Sequence, residues 1–376
     1  MGFTRRTFGA SLLALCAGAV AAPSSPRKLK ILVLGGTNFV GPAAVESALR
    51  NGHEVTLFNR GKTNPGLFPQ LELIRGDREA ATEDLKGLAG DRRWDVVVDV
   101  WPADAGISER TGRLLKDRVD RYIYVSSISA YAPLMKPGAT EDAPLIESSP
   151  DPQEYGFSKA ETERRLQSIY GSRFSSVRPT AILGWRDEGD AMTFWAVRAK
   201  RGGDVVAPGD GTDPVQFVDV KDVGDAVVRI AERELAGPFN LMGPSQPMSF
   251  REFLERISAA SGDRAKLVWI PDEFLVENGF RDYSNFPLYR PLKRTRWPGF
   301  NRISSERALA AGIQYRPVEP TVADALRWFA IYRGEKFEFG GVGQPSDTPW
   351  WKKMGMTRVR ELALLDAWAH RETATA

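Results

Sequence analysis

The chain has 376 residues, 42% of them hydrophobic and 26% charged, a balance that can build a sizeable core in one large domain or two coupled ones. Its 51 basic side chains stand against 48 acidic ones, which excludes the strong pull toward nucleic acid or anionic membrane that a basic surface would exert. One cysteine and two histidines leave little for a thiolate nucleophile, a disulfide or a histidine-built metal site, so no metal is expected.

The first element in chain order is a leader. Thr4 to Phe8, "TRRTF", sets two arginines before an apolar run from Phe8 to Ala22, and Ala19 to Ala21, "AVA", offers small residues for cleavage. This layout reads as a twin-arginine signal peptide over residues 1–22, with the Tat export machinery as a partner and a periplasmic or otherwise extracytoplasmic destination. The apolar run falls short of the ~20 residues of a spanning helix, so no stable membrane anchor is expected. Cys16 lies inside it, and Leu15 before that cysteine is too bulky for a lipoprotein signal. Removal of Arg5 and Arg6 with the leader would leave 49 basic against 48 acidic side chains and no thiol.

Beyond a Pro/Ser spacer, apolar strand-like runs alternate with amphipathic helical ones. "KILVLGG" reads as a strand, "VGPAAVESALRNG" as a helix closed by Gly52, and "HEVTLFNR", "LELIRGD", "DVVVDVW" and "RYIYVSS" as further strands. The alternation predicts an α/β fold, a Rossmann-type doubly wound parallel sheet over residues 23–180. The glycine turn follows the first strand and opens the first helix, where free backbone N–H groups can receive a pyrophosphate. Gly35 allows the tight turn and Gly41 lets helix and strand pack closely. Asn38 stands where a middle glycine is commonest, and asparagine tolerates the positive φ such a turn needs.

The second strand ends in Asn59 and Arg60 rather than in the acid that holds ribose hydroxyls. An arginine there suits a 2′-phosphate, so this contact favours NADP over NAD, although a solvated arginine at a strand end explains Arg60 nearly as well. The third strand ends in "GDR", with Asp77 placed for the adenine edge.

In "DPQEYGFSKAETERRL", Tyr155 and Lys159 are four residues apart and share one helix face. A phenol with a reference pKa of ~10 is a poor base at neutral pH, and a neighbouring ammonium is expected to lower that value. Ser127, at the end of "RYIYVSS", is best placed to hold a substrate oxygen beside the phenol; Ser126 can simply satisfy backbone and Tyr131 can simply pack. The order of glycine turn, strand-end serine, tyrosine and lysine points to hydride transfer at a secondary alcohol or ketone.

On "GGTNFVG", "GDR", "VSSISAY", "YGFSK", "VRPTAILG" and "FVDVKDVGDA", the chain resembles the extended short-chain dehydrogenase/reductase superfamily in its NAD(P)-dependent epimerase/dehydratase branch, across most of residues 30–245. "RALAAGIQYRPVEPTVADALRWF" is similar to the family's closing segment. The resemblance implies Ser127, Tyr155 and Lys159 as the catalytic set. It implies Gly35, Thr37, Asn38, Phe39, Val40, Gly41, Asn59, Arg60, Asp77, Arg78 and Pro179 as contacts of NADP or NAD. Asn38, and Asn59 with Arg60, depart from the family pattern and leave the type of dinucleotide open.

Residues 181–370 are expected to form a smaller substrate-binding region, with 215–245 returning to the Rossmann sheet and Asp222 as a helix cap or packing residue. Its segments "GWRDEGDAMTFWAVRAKRGG" and "NGFRDYSNFPLYRPLKRTRWPGF" are rich in aromatics and arginine. They could stack on a sugar ring and hold a phosphate or carboxylate, or equally form an interdomain core with solvated basic residues. The leading expectation is an exported NAD(P)-dependent enzyme acting on a sugar-like small molecule, with a homodimer left open. The alternative is a noncatalytic nucleotide- or RNA-binding protein on the same fold, as in plastid relatives with a similar turn; near-neutral charge and export weigh against RNA.

Overall fold

The computed structural model describes residues 27–371 apart from 81, 103 and 335, and the leader expected over residues 1–22 lies outside the described residues. The first half runs β1 (Lys30–Leu34), α1 (Val40–Arg50), β2 (Glu54–Asn59), β3 (Glu72–Arg75), β4 (Trp94–Asp99), α2 (Ala105–Leu115), β5 (Val119–Val125), α3 (Tyr155–Tyr170) and β6 (Phe174–Pro179). The second half runs β7 (Ala181–Leu183), α4 (Ala191–Arg201), β8 (Gly203–Pro208), β9 (Pro214–Asp219), α5 (Val220–Glu232), β10 (Gly237–Leu241), β11 (Gly243–Ser249) and α6 (Phe250–Ala260). It closes with β12 (Ala265–Ile270), α7 (Asp272–Glu277), α8 (Glu306–Ala310), α9 (Val318–Tyr332) and α10 (Arg358–Ala369).

Seven strands form one parallel sheet in the order β3-β2-β1-β4-β5-β6-β10. The order steps outward from β1 in both directions, so the sheet is doubly wound and its switch point lies between β1 and β4. Ile31 to Leu34 of β1 are buried, as a strand covered by helices on both faces requires. α1 and α5 cover one face, where Val45 and Ala48 meet Val223 and Val227 in one core. α2 and α3 cover the other, where Leu115, Leu166 and Tyr170 close over Leu32, Leu34 and Val97. His53 is a packing residue: its Nδ1 accepts the Leu29 N–H at 3.3 Å and its Nε2 meets Glu232 at 3.1 Å.

Within 215–245, α5 packs on α1 and β10 pairs with β6, whereas β9 joins β7 and β11 in a separate three-stranded sheet. Asp222 is buried and receives the Arg316 guanidinium at 3.0 Å, so it ties α5 to the chain before α9. A two-stranded sheet of β8 and β12, with α4, α6 and α9, encloses a second core around Phe194, Trp195, Phe250 and Phe253. Met354, Met356 and Leu364 join that core, so the chain after α9 is part of the fold. Among the described residues, no helix is long and apolar enough to cross a membrane.

Candidate active site

The carboxyl end of β1 opens into a turn in which Gly35 and Gly36 hold φ of 114° and 89°, a region that a side chain would strain. The positive φ anticipated at Asn38 falls instead on Phe39, at 43°, while Asn38 is exposed and its carbonyl accepts the Gly41 N–H at 3.1 Å. Gly41 packs against the turn itself: a Cβ there would stand 2.7 Å from Gly36 Cα. No side chain caps α1 and no acid sits in its first turn, so apart from the Gly41 N–H its first-turn donors are left for an anion. Thr37 lies in this turn with its carbonyl accepting from Asn64 Nδ2 at 2.8 Å, and Val40 starts the helix.

Around the adenosine end, the structure redistributes several expected roles. Asn59 spends its amide internally, donating to Gly35 O at 2.7 Å and accepting from Gly61 N at 2.8 Å, and so braces the glycine turn. Arg60 lies 3.2 Å from Glu79 and 3.7 Å from Asp77, and Asp77 also accepts the Glu79 N–H. Arg78, expected at the cofactor, is buried and committed elsewhere. Its guanidinium forks onto Asp99 at 2.6 and 2.9 Å and touches Thr111 at 3.2 Å, which makes it a packing residue beneath the sheet's edge. Asp99 is held below its ordinary range: burial works to raise it, and Arg78 overrides burial. Pro179 ends β6, buried at the same carboxyl edge.

Ser127, Tyr155 and Lys159 are brought together by the junction of β5 with α3. A Cβ at Gly156 would collide with the Ser129 carbonyl oxygen, so this glycine lets the first turn of α3 abut the segment just after Ser127. Glu154 caps α3 by accepting from Gly156 N and Phe157 N at 3.0 and 2.7 Å. Beneath the site, Arg178 on β6 binds Glu163 of α3 at 2.7 Å and the Tyr131 hydroxyl at 2.9 Å, and Tyr131 in turn donates to Asn240. Tyr131 is thus a packing residue that locks α3 to the sheet. Ser126 is buried with its N–H on Val177 O, and its hydroxyl has no partner among the described residues.

The Lys159 amine donates to Val125 O at 2.7 Å and Trp101 O at 3.0 Å, and stands 4.6 Å from the centre of the Tyr124 ring and 5.7 Å from that of Tyr155. Burial pushes its pKa down to about 7, against the pull of Asp99 and Glu163. Tyr155 is 46% exposed, yet burial around its phenol raises its pKa and outweighs the influence of Ser127, which works to lower it, while the Ser127 hydroxyl itself accepts the Ser129 N–H at 3.1 Å. The lowering of the phenol anticipated from Lys159 is not seen here: burial outweighs it, and the amine donates to two carbonyls.

The model of the NAD dependent epimerase/dehydratase family matches residues 31–242, more than half of the chain. The chain belongs to that family. Among curated relatives of this epimerase/dehydratase chain is the chloroplast stem-loop binding protein of 41 kDa b from Arabidopsis thaliana, 30% identical over 60% of this chain and 61% of its own length. The 2'-dehydrokanamycin reductase of Streptomyces kanamyceticus is 28% identical over 66% of this chain and 71% of its own. A solved UDP-glucuronic acid 4-epimerase from Bacillus cereus, in complex with NAD, shares the fold with a TM-score of 0.56 at 16% identity, over 80% of this chain and 99% of that one.

The cofactor of this family member is a nicotinamide dinucleotide, and the residues present fit it. The uncapped α1 N-terminus over a glycine turn too close-packed for side chains, and the orphaned Ser126 hydroxyl at the end of β5, are a cradle with polar groups still to satisfy. Gly156 and Asp99 were not legible in the sequence as site builders. A glycine directly after the tyrosine was the one local signal for the first of them.

Proposed function

We propose that this protein moves hydride reversibly at a secondary alcohol or ketone carbon of a sugar-like substrate, outside the cytoplasm. The bound nicotinamide would supply the hydride acceptor and donor. Tyr155 would take the proton from the substrate hydroxyl in one direction and return it in the other, while Ser127 orients the reacting oxygen beside the phenol. Lys159, buried against the Tyr155 ring, would favour the ionised phenol whenever it carries its proton. The observation that carries this reading is the Lys159 amine 5.7 Å from the centre of the Tyr155 ring, one helical turn along α3, with Ser127 near enough to act on the phenol. Export rests on the twin-arginine leader.

Tyr155→Phe removes only the ionisable oxygen. Turnover, read as chromatographic conversion of a panel of sugars and keto-sugars to product, should fall about a hundredfold or more. NAD and NADP affinity, read by calorimetry, should stay within a factor of about two. Equal rates for variant and wild type would overturn the assignment of the acid/base. A second reading, RNA binding without catalysis, is supported by the stem-loop-binding relative. Tight stem-loop RNA binding with no conversion of any sugar in the panel would favour it.

A further inference from the structure

Arg290 sits in the loop between α7 and α8, its guanidinium carbon 4.3 Å from the centre of the Tyr283 ring and 4.4 Å from that of Phe300. Its Nε is buried without a hydrogen-bond partner, and among the described residues no carboxylate forms an ion pair with it. Arg294, four residues further along the chain, is by contrast paired with Asp282. Burial raises the pKa of the Tyr283 phenol, and the Arg290 charge over its ring works to lower it. A guanidinium covered by rings presents its N–H edge, and half-buried Arg290 keeps its Nε without a partner. A forked donor of this kind matches the paired oxygens of a carboxylate or a phosphate.

Phe300 links Arg290 to the catalytic junction. Phe300 packs on the cluster of Ile128, Tyr131 and Leu134, and Ile128 is the residue after Ser127. On the other side, Tyr283 feels the buried Asp187 carboxyl of the segment after β7. Trp350 adjoins Tyr283 with ring centres 6.0 Å apart and is itself 63% exposed, an open aromatic face. It is fixed there by the Gly355 N–H on Ser284 O at 2.8 Å and by the ion pair of Lys352 with Glu188. Arg290, Tyr283, Phe300 and Trp350 themselves lie beyond the matched family segment, which ends at 242.

We propose that Arg290 determines substrate choice by holding the carboxylate or phosphate of an acidic sugar, while Trp350 and Tyr283 receive the apolar face of its ring. The proposal deepens the hydride-transfer reading, but it concerns binding, so its test is run without turnover.

The NAD-loaded full chain carrying Tyr155→Phe is titrated by calorimetry with glucuronate, glucose 6-phosphate and neutral glucose. At least one acid should bind about tenfold to a hundredfold more tightly than glucose. Preference for glucuronate alone identifies the group as a carboxylate, and preference for the phosphate alone as a phosphate. Adding Arg290→Gln should abolish the preference, Arg290→Lys should retain only a fraction of it, and Trp350→Ala should weaken all three sugars in parallel. Should Arg290→Gln fail to fold by circular dichroism, Arg290→Lys, which keeps a cation between the rings, decides. Equal affinities for the three sugars, no saturable binding of any of them, or a preference that survives loss of the Arg290 fork overturns the proposal. Failure of the hydride-transfer reading shows separately, as unchanged turnover in Tyr155→Phe alone.

Discussion

Arg60 carries its charge between Glu79 at 3.2 Å and Asp77 at 3.7 Å, with its side chain 44% exposed. Surface pairs of this kind are worth at most about 1 kcal/mol each, so a 2′-phosphate making a forked, charge-assisted contact can displace them. Arg60→Ala should therefore weaken NADP much more than NAD, and Glu79→Gln should tighten NADP by roughly threefold while leaving NAD unchanged. Calorimetric titration of both dinucleotides checks this, and equal changes for the two would return Arg60 to the solvated surface. Residues differed in how legible they were. Tyr155 and Lys159 could be read because a spacing of four on a helix is local information. Arg78 could not, because what commits it is Asp99, on a strand whose pairing no local pattern declares. The phenol's raised pKa was likewise hidden, since enclosure and the two carbonyls that occupy Lys159 exist only in the folded chain.

Between elements, two glycines set two separate distances. Gly41 brings α1 onto the glycine turn, and Gly156 brings α3 onto the segment after Ser127. A methyl at 41 should push the helix N-terminus off the turn and weaken the dinucleotide about tenfold or more, whereas a methyl at 156 should separate Tyr155 from Ser127 and reduce turnover with nucleotide affinity kept. Gly66→Ala, where a Cβ meets nothing within 4 Å, is the control that should change neither. Calorimetry and turnover measured on all three variants give the answer, and a Gly156→Ala enzyme with full turnover would remove the positioning argument. The alternation of strands and helices in the first half was readable because parallel strands buried on both faces are near-continuous apolar runs. The second half was less so. β9 reads as continuous with the helix it feeds, yet it pairs with β7 and β11, partners 30 residues or more away along the chain in one direction and across α5 and β10 in the other. The chain after α9 carries no strand signal and is fixed by packing of Phe339, Met354, Met356 and Leu364 together with the Lys352–Glu188 and Arg198–Glu361 ion pairs.

At the scale of the whole molecule, the proposed export and the nicotinamide cofactor constrain each other. The twin-arginine route carries folded proteins, so a dinucleotide loaded in the cytoplasm can cross inside its site. Outside there is no evident pool with which to exchange it, and a net dehydrogenase would stop after one turnover unless a partner restored its cofactor. A redox-neutral cycle escapes this limit: hydride leaves the substrate and returns to the same molecule, as in epimerisation or dehydration, or passes to a second substrate. Such a cycle requires that the dinucleotide be retained, hence slow release and a dissociation constant well below ~1 μM. The features that would retain it are the close-packed glycine turn, the open α1 N-terminus and the Ser126 hydroxyl still lacking a partner. Mature protein purified from the exported fraction and then denatured should release close to one dinucleotide per chain. Empty protein that rapidly binds added dinucleotide and accumulates its reduced form in step with product would refute retention, and would make the enzyme an ordinary dehydrogenase drawing on a soluble pool.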